Sequence, residues 1–268
     1  METDAPAPSL PGFETTTFSH DGKMRTVYRA GRGPGVIVMH EIPGIYPAVI
    51  DFARRVADAG FSVYMPDLFG TPGRPLSTPY LLGAMARACV SREFHVLAAR
   101  QASPITDWLR ALCRKAHGEQ GGAGVGAIGM CLTGNFALAL MVDESVMAPV
   151  LSQPSLPFGI TPGLRAALHV SDEELAVVRR RARAGCPVLG LRFTGDPMCP
   201  KARFDTLRRE LGAEGFEAIE IDSRPGNAHG IPRTAHSVVT KDLVDEAGHP
   251  TRQALDRVLG FFAERLRA

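Results

Sequence analysis

The stretch Gly124-Val-Gly-Ala-Ile-Gly-Met-Cys-Leu-Thr-Gly134, followed by Phe136-Ala-Leu-Ala-Leu-Met-Val142, decides the fold of this chain. Its first part is an apolar run of small and β-branched residues, which predicts a short buried strand, and the second part predicts a packed helix. Between them, Gly-x-Cys-x-x-Gly matches the sharp strand-to-helix turn that holds a nucleophile at its apex. Near a helix N-terminus, the dipole favours a thiolate at Cys131. Taken alone, the motif also fits a buried structural cysteine.

Composition narrows the class of protein. The 268 residues are 45% hydrophobic, enough for a sizeable core, and the net charge of +2 from 30 basic and 28 acidic residues shows no concentrated basic face for nucleic acid. The N-terminus lacks the basic-then-apolar pattern of a signal peptide, and no apolar run reaches the roughly 18 residues that a membrane span needs. The five cysteines show no metal-binding spacing. We therefore expect a cytoplasmic protein without metal or other cofactor.

Periodicity predicts a flexible arm over residues 1–12 and a single domain over 13–268. Alternating residues around His20-Asp21-Gly22 predict a hairpin. Strands and helices then alternate, which predicts an α/β-hydrolase fold: a mostly parallel central sheet with helices on both faces and an N-terminal antiparallel hairpin. The predicted strands are 35–40, 61–67, 124–130, 147–152, 187–193 and 216–222. The predicted helices are 49–60, 171–183, 202–211, 251–266 and a long segment from about 80 to about 117, either continuous or broken near Ser103-Pro104.

Four residues suited to nucleophilic catalysis follow predicted strands, where open α/β sheets gather functional groups. They are Glu41, Cys131, Asp196 and His229. The order nucleophile, acid, base is that of α/β-hydrolases. A thiol attacks a carbonyl, an imidazole carries the proton, and a carboxylate fixes the imidazole tautomer. The sequence therefore predicts a Cys131–His229–Asp196 triad.

The sequence resembles the dienelactone hydrolase family over roughly residues 13–266. The resemblance is carried by His-Glu-Ile-Pro-Gly (40–44), Met-Pro-Asp-Leu-Phe-Gly (65–70), Gly-Met-Cys-Leu-Thr-Gly (129–134), Gly-Asp-Pro-Met-Cys-Pro (195–200) and Ala-His-Gly (228–230). It implies the same triad. It also implies that Glu41 contacts the resting cysteine and helps to generate the thiolate. The oxyanion hole would be formed by the N–H groups of Ile42 and Leu132. Arg233, four residues after His229, would hold a substrate carboxylate.

Three features depart from the family pattern or leave an alternative. Thr133 stands where the family usually has a glycine after the nucleophile turn. The segment 155–184 is longer than in compact members, and its Arg179-Arg180-Arg181 run fits a solvated helix face, a partial cap or an oligomer contact. His236 competes with His229 as the base, but Ala-His-Gly fits the motif better.

The sequence thus predicts a carboxylic ester hydrolase that opens small esters or lactones through an acyl-enzyme. Its partner is a small-molecule substrate, with no nucleic acid or membrane, and we expect a monomer or homodimer. Two alternatives stay open: thioester or peptide hydrolysis on the same triad, and a binding or stress-response protein with little turnover.

Overall fold

The computed structural model describes residues 8–90 and 103–267, without the side chains of 88–90. A single sheet of eight strands forms its centre. Buried, β-branched segments supply the inner strands, as the sequence predicts. The strands are β1 (Glu14–His20), β2 (Lys23–Ala30), β3 (Gly35–Met39), β4 (Ser62–Pro66), β5 (Val125–Met130), β6 (Val146–Ser152), β7 (Val188–Phe193) and β8 (Phe216–Ile221).

The strand order is β1-β2-β4-β3-β5-β6-β7-β8. β2 pairs antiparallel with both β1 and β4, and all other pairs are parallel. The hairpin turns at Asp21 and Gly22, which both have positive φ (49° and 71°), as a two-residue hairpin loop requires. The predicted mostly parallel sheet and N-terminal antiparallel hairpin are confirmed.

The helices follow the predicted segments, with three differences, of which the first is the short helix Pro162–Ala166, which the sequence does not predict. Residues 91–102 of the predicted segment 80–117 lie outside the described residues, and two helices flank them. Helix α7 continues past the predicted end at Leu211 through a kink at Gly212 (φ 78°). The helices are α1 (Pro47–Asp58), α2 (Thr78–Val90), α3 (Ile105–Gln120), α4 (Phe136–Leu140), α5 (Pro162–Ala166), α6 (Asp172–Arg183), α7 (Lys201–Gly215) and α8 (Pro250–Leu266).

Two hydrophobic layers sandwich the sheet. Helices α3, α4, α6 and α7 contribute buried side chains to one layer, and α1 and α8 contribute to the other. Strands β3, β4, β5 and β7 are buried along their whole length, and β6 is buried except at Met147, because helices cover both faces of the sheet. This arrangement brings the carboxyl ends of β3, β5 and β7 to one edge, where loops carry the candidate residues.

The end of the predicted arm packs against the domain. Leu10 is buried, its carbonyl accepts a hydrogen bond from Phe13 N (3.0 Å), and Tyr28 donates to Pro8 O (2.8 Å). Residues 1–7 lie outside the described part. Among residues 8–90 and 103–267, no helix is both long and apolar enough to cross a membrane.

The segment 155–184 forms α5 and α6. Ser171 and Glu174 form the predicted capping box at the start of α6. The arginine run is partly engaged with neighbouring elements: Arg179 pairs with Glu210 of α7, and Arg181 donates to Met141 O (2.5 Å). These contacts tie α6 to the elements beside it, where it packs against α7 and α4.

Candidate active site

Cys131 lies at the apex of the predicted elbow, between β5 and α4. Its φ of 54° is in the left-handed region, which costs a non-glycine residue about 1–2 kcal/mol. The flanking glycines make the turn possible, because a Cβ on Gly129 would lie 2.0 Å from Thr133 O and one on Gly134 would lie 2.4 Å from Pro154 Cα. Such strain persists where surrounding structure enforces it, often at functional sites.

Thr133 replaces the family glycine without opening the elbow. Its buried hydroxyl accepts a hydrogen bond from Met130 N (2.9 Å) and lies 3.0 Å and 3.1 Å from the carbonyl oxygens of Met39 and His40. Since Met39 ends β3, the Thr133 side chain fastens the elbow to the neighbouring strand end. A buried hydroxyl with partners on both sides stabilises the turn instead of leaving a polar group unsatisfied.

His236 is the imidazole that the structure brings to Cys131 and Asp196. His236 Nδ1 lies 2.7 Å from Asp196 Oδ2, and Met198 N donates to Asp196 Oδ1 (2.8 Å). The loop is held by Asp242, whose Oδ2 accepts hydrogen bonds from the backbone N–H groups of His236 and Ser237 (2.8 and 2.9 Å). With Nδ1 engaged, Nε2 is the ring nitrogen left for Cys131. It is buried and has no hydrogen-bond partner of ordinary geometry among residues 8–90 and 103–267.

The electrostatics couple His236 to the cysteine. Burial lowers the pKa of His236, but the electrostatic interaction with Cys131 and the hydrogen bond with Asp196 outweigh this effect and hold the pKa well above its usual value. The side chain of Cys131 is 4% exposed, so water screens this pair weakly. The arrangement therefore couples the imidazole of His236 to the Cys131 side chain.

The prediction that His229 completes this cluster is wrong. His229 is exposed, and its ring packs edge-on against His249, 5.2 Å away between centroids. Asn227 causes the difference, because its Oδ1 accepts hydrogen bonds from His229 N (3.1 Å) and Ile231 N (3.0 Å). This tight turn directs His229 toward the start of α8. One signal did separate the two histidines: His236 is flanked by apolar residues that the fold buries, such as Ala235 and Val238.

Glu41 lines the same cavity as Cys131, but it is caged. Its carboxylate is 1% exposed and accepts hydrogen bonds from four side chains that the sequence did not single out. Burial, followed by the charge of Glu41, raises the pKa of Tyr46, so the tyrosine stays a donor. The four donors are Tyr46 Oη (2.5 Å), Ser237 Oγ (2.8 Å), Gln153 Nε2 (3.1 Å) and Thr240 Oγ1.

The two residues predicted to form the oxyanion hole lie beside the cysteine. Leu132 is the second residue of the 3₁₀ turn Cys131–Thr133, and N–H groups at a helix start have no acceptor within the helix. Ile42 belongs to neither helix nor strand, and its N–H donates to no backbone carbonyl of the described residues. Ile42 lines the cavity beside Cys131. Both amides are thus placed as potential donors to a developing oxyanion.

A small cavity of about 180 Å³ opens over Cys131. Its described walls are mostly apolar, and no described residue of segment 155–184 belongs to them. Lys241 is the basic side chain among those walls. The lining consists of Glu41, Ile42, Tyr46, Leu76, Leu81, Met85, Cys131, Met198, His236, Ser237 and Lys241.

Arg233, predicted to hold a substrate carboxylate, does not line this cavity. It packs over Gly195, where a Cβ would lie 3.1 Å from Arg233 Cγ, and lines a separate cavity. The error follows from His229, because the offset of four residues was counted from the wrong histidine. Counted from His236, the position is Thr240, which binds Glu41 instead.

The other titratable groups near the site do not form a metal centre. Across the ranges 8–90 and 103–267, no three His, Cys, Asp or Glu side chains are arranged to hold a metal ion. Cys113, Cys186 and Cys199 are buried free thiols, and burial raises the pKa of Cys199 to about 12.

Solved structures share this architecture. A protein of Klebsiella pneumoniae subsp. pneumoniae MGH 78578, assigned as a dienelactone hydrolase, is 20% identical with a TM-score of 0.63, over 94% of this chain and 98% of that chain. A dienelactone hydrolase-like promiscuous phosphotriesterase from metagenomic libraries is 16% identical with a TM-score of 0.60, over 95% of this chain and 98% of that chain. These likenesses define an α/β-hydrolase fold.

Sequence comparison narrows the class. A protein of Escherichia coli (strain K12), assigned as the hydrolase fragment YghX, is 43% identical over 44 residues, which are 16% of this chain and 38% of that relative. The model of the dienelactone hydrolase family matches residues 22–266. The chain therefore belongs to the dienelactone hydrolase family.

Proposed function

We propose that this protein hydrolyses small carboxylic esters or lactones through a covalent thioester on Cys131. The observation that supports it most directly is the linked Asp196–His236 pair, coupled to a strained cysteine at the end of β5. Nucleophile, base and orienting carboxylate are the three parts of a triad. Their chain order, Cys131, Asp196, His236, is that of α/β-hydrolases.

In the first half-reaction, His236 Nε2 takes the thiol proton and Cys131 Sγ attacks the carbonyl carbon. The carbonyl electrons move to oxygen, and the Ile42 and Leu132 N–H groups stabilise that oxyanion. Each such donor is typically worth about 3 kcal/mol in the transition state. The tetrahedral intermediate collapses, the carbon–oxygen ester bond breaks, and the His236 imidazolium gives its proton to the departing alkoxide.

In the second half-reaction, water attacks the thioester. His236 accepts a proton from the water, the tetrahedral intermediate forms again on the same two amides, and the carbon–sulfur bond breaks. The products are the carboxylic acid and the Cys131 thiolate. The proton held by His236 then passes to this thiolate, which restores the thiol. Asp196 accepts the Nδ1–H of His236 throughout, so that Nε2 faces the reacting atoms.

The cavity supports a short, apolar acyl group. A volume of about 180 Å³ is below the roughly 300–1,000 Å³ of drug-sized ligand sites. Leu76, Leu81, Met85 and Met198 supply apolar walls, which fit an aliphatic chain and offer no partner to a buried charge.

Glu41 is a positioning residue in this proposal. It joins the end of β3 to Ser237 and Thr240, which follow His236 in the same loop. Because four donors hold its carboxylate, we infer that Glu41 fixes the His236 loop and adds negative potential near the cysteine.

A panel of p-nitrophenyl acetate, butyrate and octanoate, with matched thioesters and a small lactone, tests the proposal. We expect kcat/KM to be highest for the short esters, and intact-mass spectrometry at early times to show one acyl group on Cys131. Cys131→Ala removes the nucleophile and should abolish turnover and adduct. Cys199→Ala, which removes another buried thiol, should leave both unchanged. Faster turnover of the thioesters would favour the thioesterase alternative, and no adduct with any substrate would overturn the proposal.

A further inference from the structure

A second cavity, of about 500 Å³, lies on the side of the Asp196 loop where Arg233 packs. It shares no lining residue with the cavity over Cys131. Five of its eleven lining residues are basic: Arg165, Arg192, Lys201, Arg224 and Arg233. Basic side chains of α5, β7, α7 and the loop after β8 therefore converge on one concave surface.

Three of these cations are already paired. Arg192 is buried and bonds Glu220 (2.6 Å), Lys201 bonds Asp205 (2.6 Å), and Arg224 bonds Asp222 (2.8 Å). The carboxylate of Asp196, which also lines the cavity, accepts hydrogen bonds from His236 Nδ1 and Met198 N. Within the cavity, the acidic groups are thus committed to other partners.

Arg165 and Arg233 are the two remaining cations. Neither guanidinium has a hydrogen-bond or ion-pair partner among the described residues. They come from α5 and from the loop after β8, so they approach the cavity from different elements. Guanidinium groups bind phosphate and carboxylate oxygens in a bidentate fashion.

We propose that this cavity binds a small molecule through a dianionic oxyanion group, either a phosphate monoester or a dicarboxylate, held by Arg165 and Arg233. Two unpartnered positive charges match a dianion. Glu220, Asp205 and Asp222 neutralise the surrounding cations, which limits the positive surface to this one spot and favours a small ligand over an extended polyanion. The ligand would bind outside the cavity over Cys131, although Asp196 of the proposed triad also lines this site.

Isothermal titration calorimetry with inorganic phosphate and with succinate, at about pH 8 and constant ionic strength, tests the site. We expect saturable one-site binding of at least one of them to the full chain. Arg165→Gln and Arg233→Gln should each weaken that binding about tenfold, the value of one charged hydrogen bond. Arg32→Gln is the matched control, because Arg32 is exposed and lines neither cavity.

The two anions separate the sources of the ligand. Tighter binding of phosphate identifies a phosphate monoester, and tighter binding of succinate identifies a dicarboxylate. Both results support the site if they depend on the two arginines. The proposal is overturned if neither anion saturates the protein, or if binding persists unchanged in the Arg165→Gln/Arg233→Gln double variant. Ester turnover is not the readout, so either result leaves the role of Cys131 unaffected.

Discussion

The loop between β8 and α8 contains two histidines with opposite surroundings. His229 lies on the surface beside His249, whereas His236 lies 2.7 Å from Asp196. The backbone around each is held by one polar side chain, Asn227 in the first case and Asp242 in the second. The three-residue motif around a histidine does not decide whether it can act in catalysis. The path of its loop decides this, because the loop determines whether the ring is buried beside a nucleophile or exposed.

The largest expected effect is a difference in kcat/KM between variants of the two histidines. His236→Ala removes the proton carrier, so kcat/KM for a short aryl ester should fall by about 10²–10⁴-fold. His229→Ala, the matched control, should change kcat/KM by less than about twofold because its exposed ring lies outside the cavity over Cys131.

Steady-state kinetics of both variants measure this contrast, with circular dichroism to show that each is folded. A large loss in His229→Ala with little loss in His236→Ala would reverse the assignment of the base. Asp196→Asn offers a further check: it should resemble His236→Ala, and the double variant should be little worse than either, because a triad acts as a unit.

The fold and three members of the site follow from short-range patterns. Glu41, Cys131 and Asp196 each come directly after a buried strand, so the strand itself delivers them to the sheet edge. His236 comes fifteen residues after the end of β8 at Ile221. Its place depends on hydrogen bonds that backbone N–H groups of the loop donate to the side chains of Asn227 and Asp242, and hydrophobic periodicity does not reveal these bonds. Arg233 was misplaced for the same reason.

The hydrogen-bond donors around Glu41 also cannot be predicted from the sequence. They come from the segment before α1, from the residue after β6 and from the His236 loop. Only the folded sheet brings these segments to one carboxylate. A strand-end position predicts where an acidic side chain lies, but the partners that decide its role belong to distant parts of the chain.

The second prediction concerns that cage. Glu41→Gln replaces an acceptor of four hydrogen bonds with an amide, which places its NH₂ group against buried donors. We expect the free energy of unfolding to fall by about 2–3 kcal/mol and kcat/KM to fall about 10–100-fold, with KM for neutral esters nearly unchanged.

Urea unfolding and a pH–rate profile measure the two effects. Tyr46→Phe removes a single donor and should give a smaller loss in both. A shifted pH profile in Glu41→Gln marks action through His236, which a merely structural role would not produce. If Glu41→Gln had the same kinetics as the parent protein at every pH, the positioning role would be ruled out.

The third prediction concerns His40, a buried histidine whose effect on stability at low pH is opposite to that of His236. Burial lowers the pKa of His40 to about 4. Its ring accepts a hydrogen bond from Leu68 N at Nε2 (3.1 Å), and Nδ1 lies 3.2 Å from Glu41 O. The unfolded chain takes up this proton near the ordinary pKa of 6.5, so stability is lost as the pH falls from about 6.5 to 4. The effect of His236 on stability has the opposite sign. Because its pKa is raised in the folded protein, it contributes stability at low pH, and this contribution is lost as the pH rises through the pKa of the folded state.

For a pKa depressed to about 4, linkage gives a loss of about 2–3 kcal/mol between pH 7 and 4.5. Urea unfolding at both pH values should therefore show a smaller decrease in His40→Gln than in the parent, even if the variant is less stable at pH 7. Equal decreases in the two proteins would mean that His40 does not set the acid sensitivity.

The smallest expected effect compares the two cavities. Lys241 lines the cavity over Cys131, whereas Arg233 lines the one beyond Asp196. The ratio of kcat/KM for a carboxylate-bearing ester to that for its methyl ester should therefore stay within about twofold in Arg233→Ala. It should fall by about two- to fivefold in Lys241→Ala, since an exposed charge contributes roughly 0.2–1 kcal/mol and is screened by salt. Repeating the assay at high salt should erase the Lys241 effect. If Arg233→Ala alone removed the preference for the acid, substrate would have to reach the second cavity, and the two cavities would form one site.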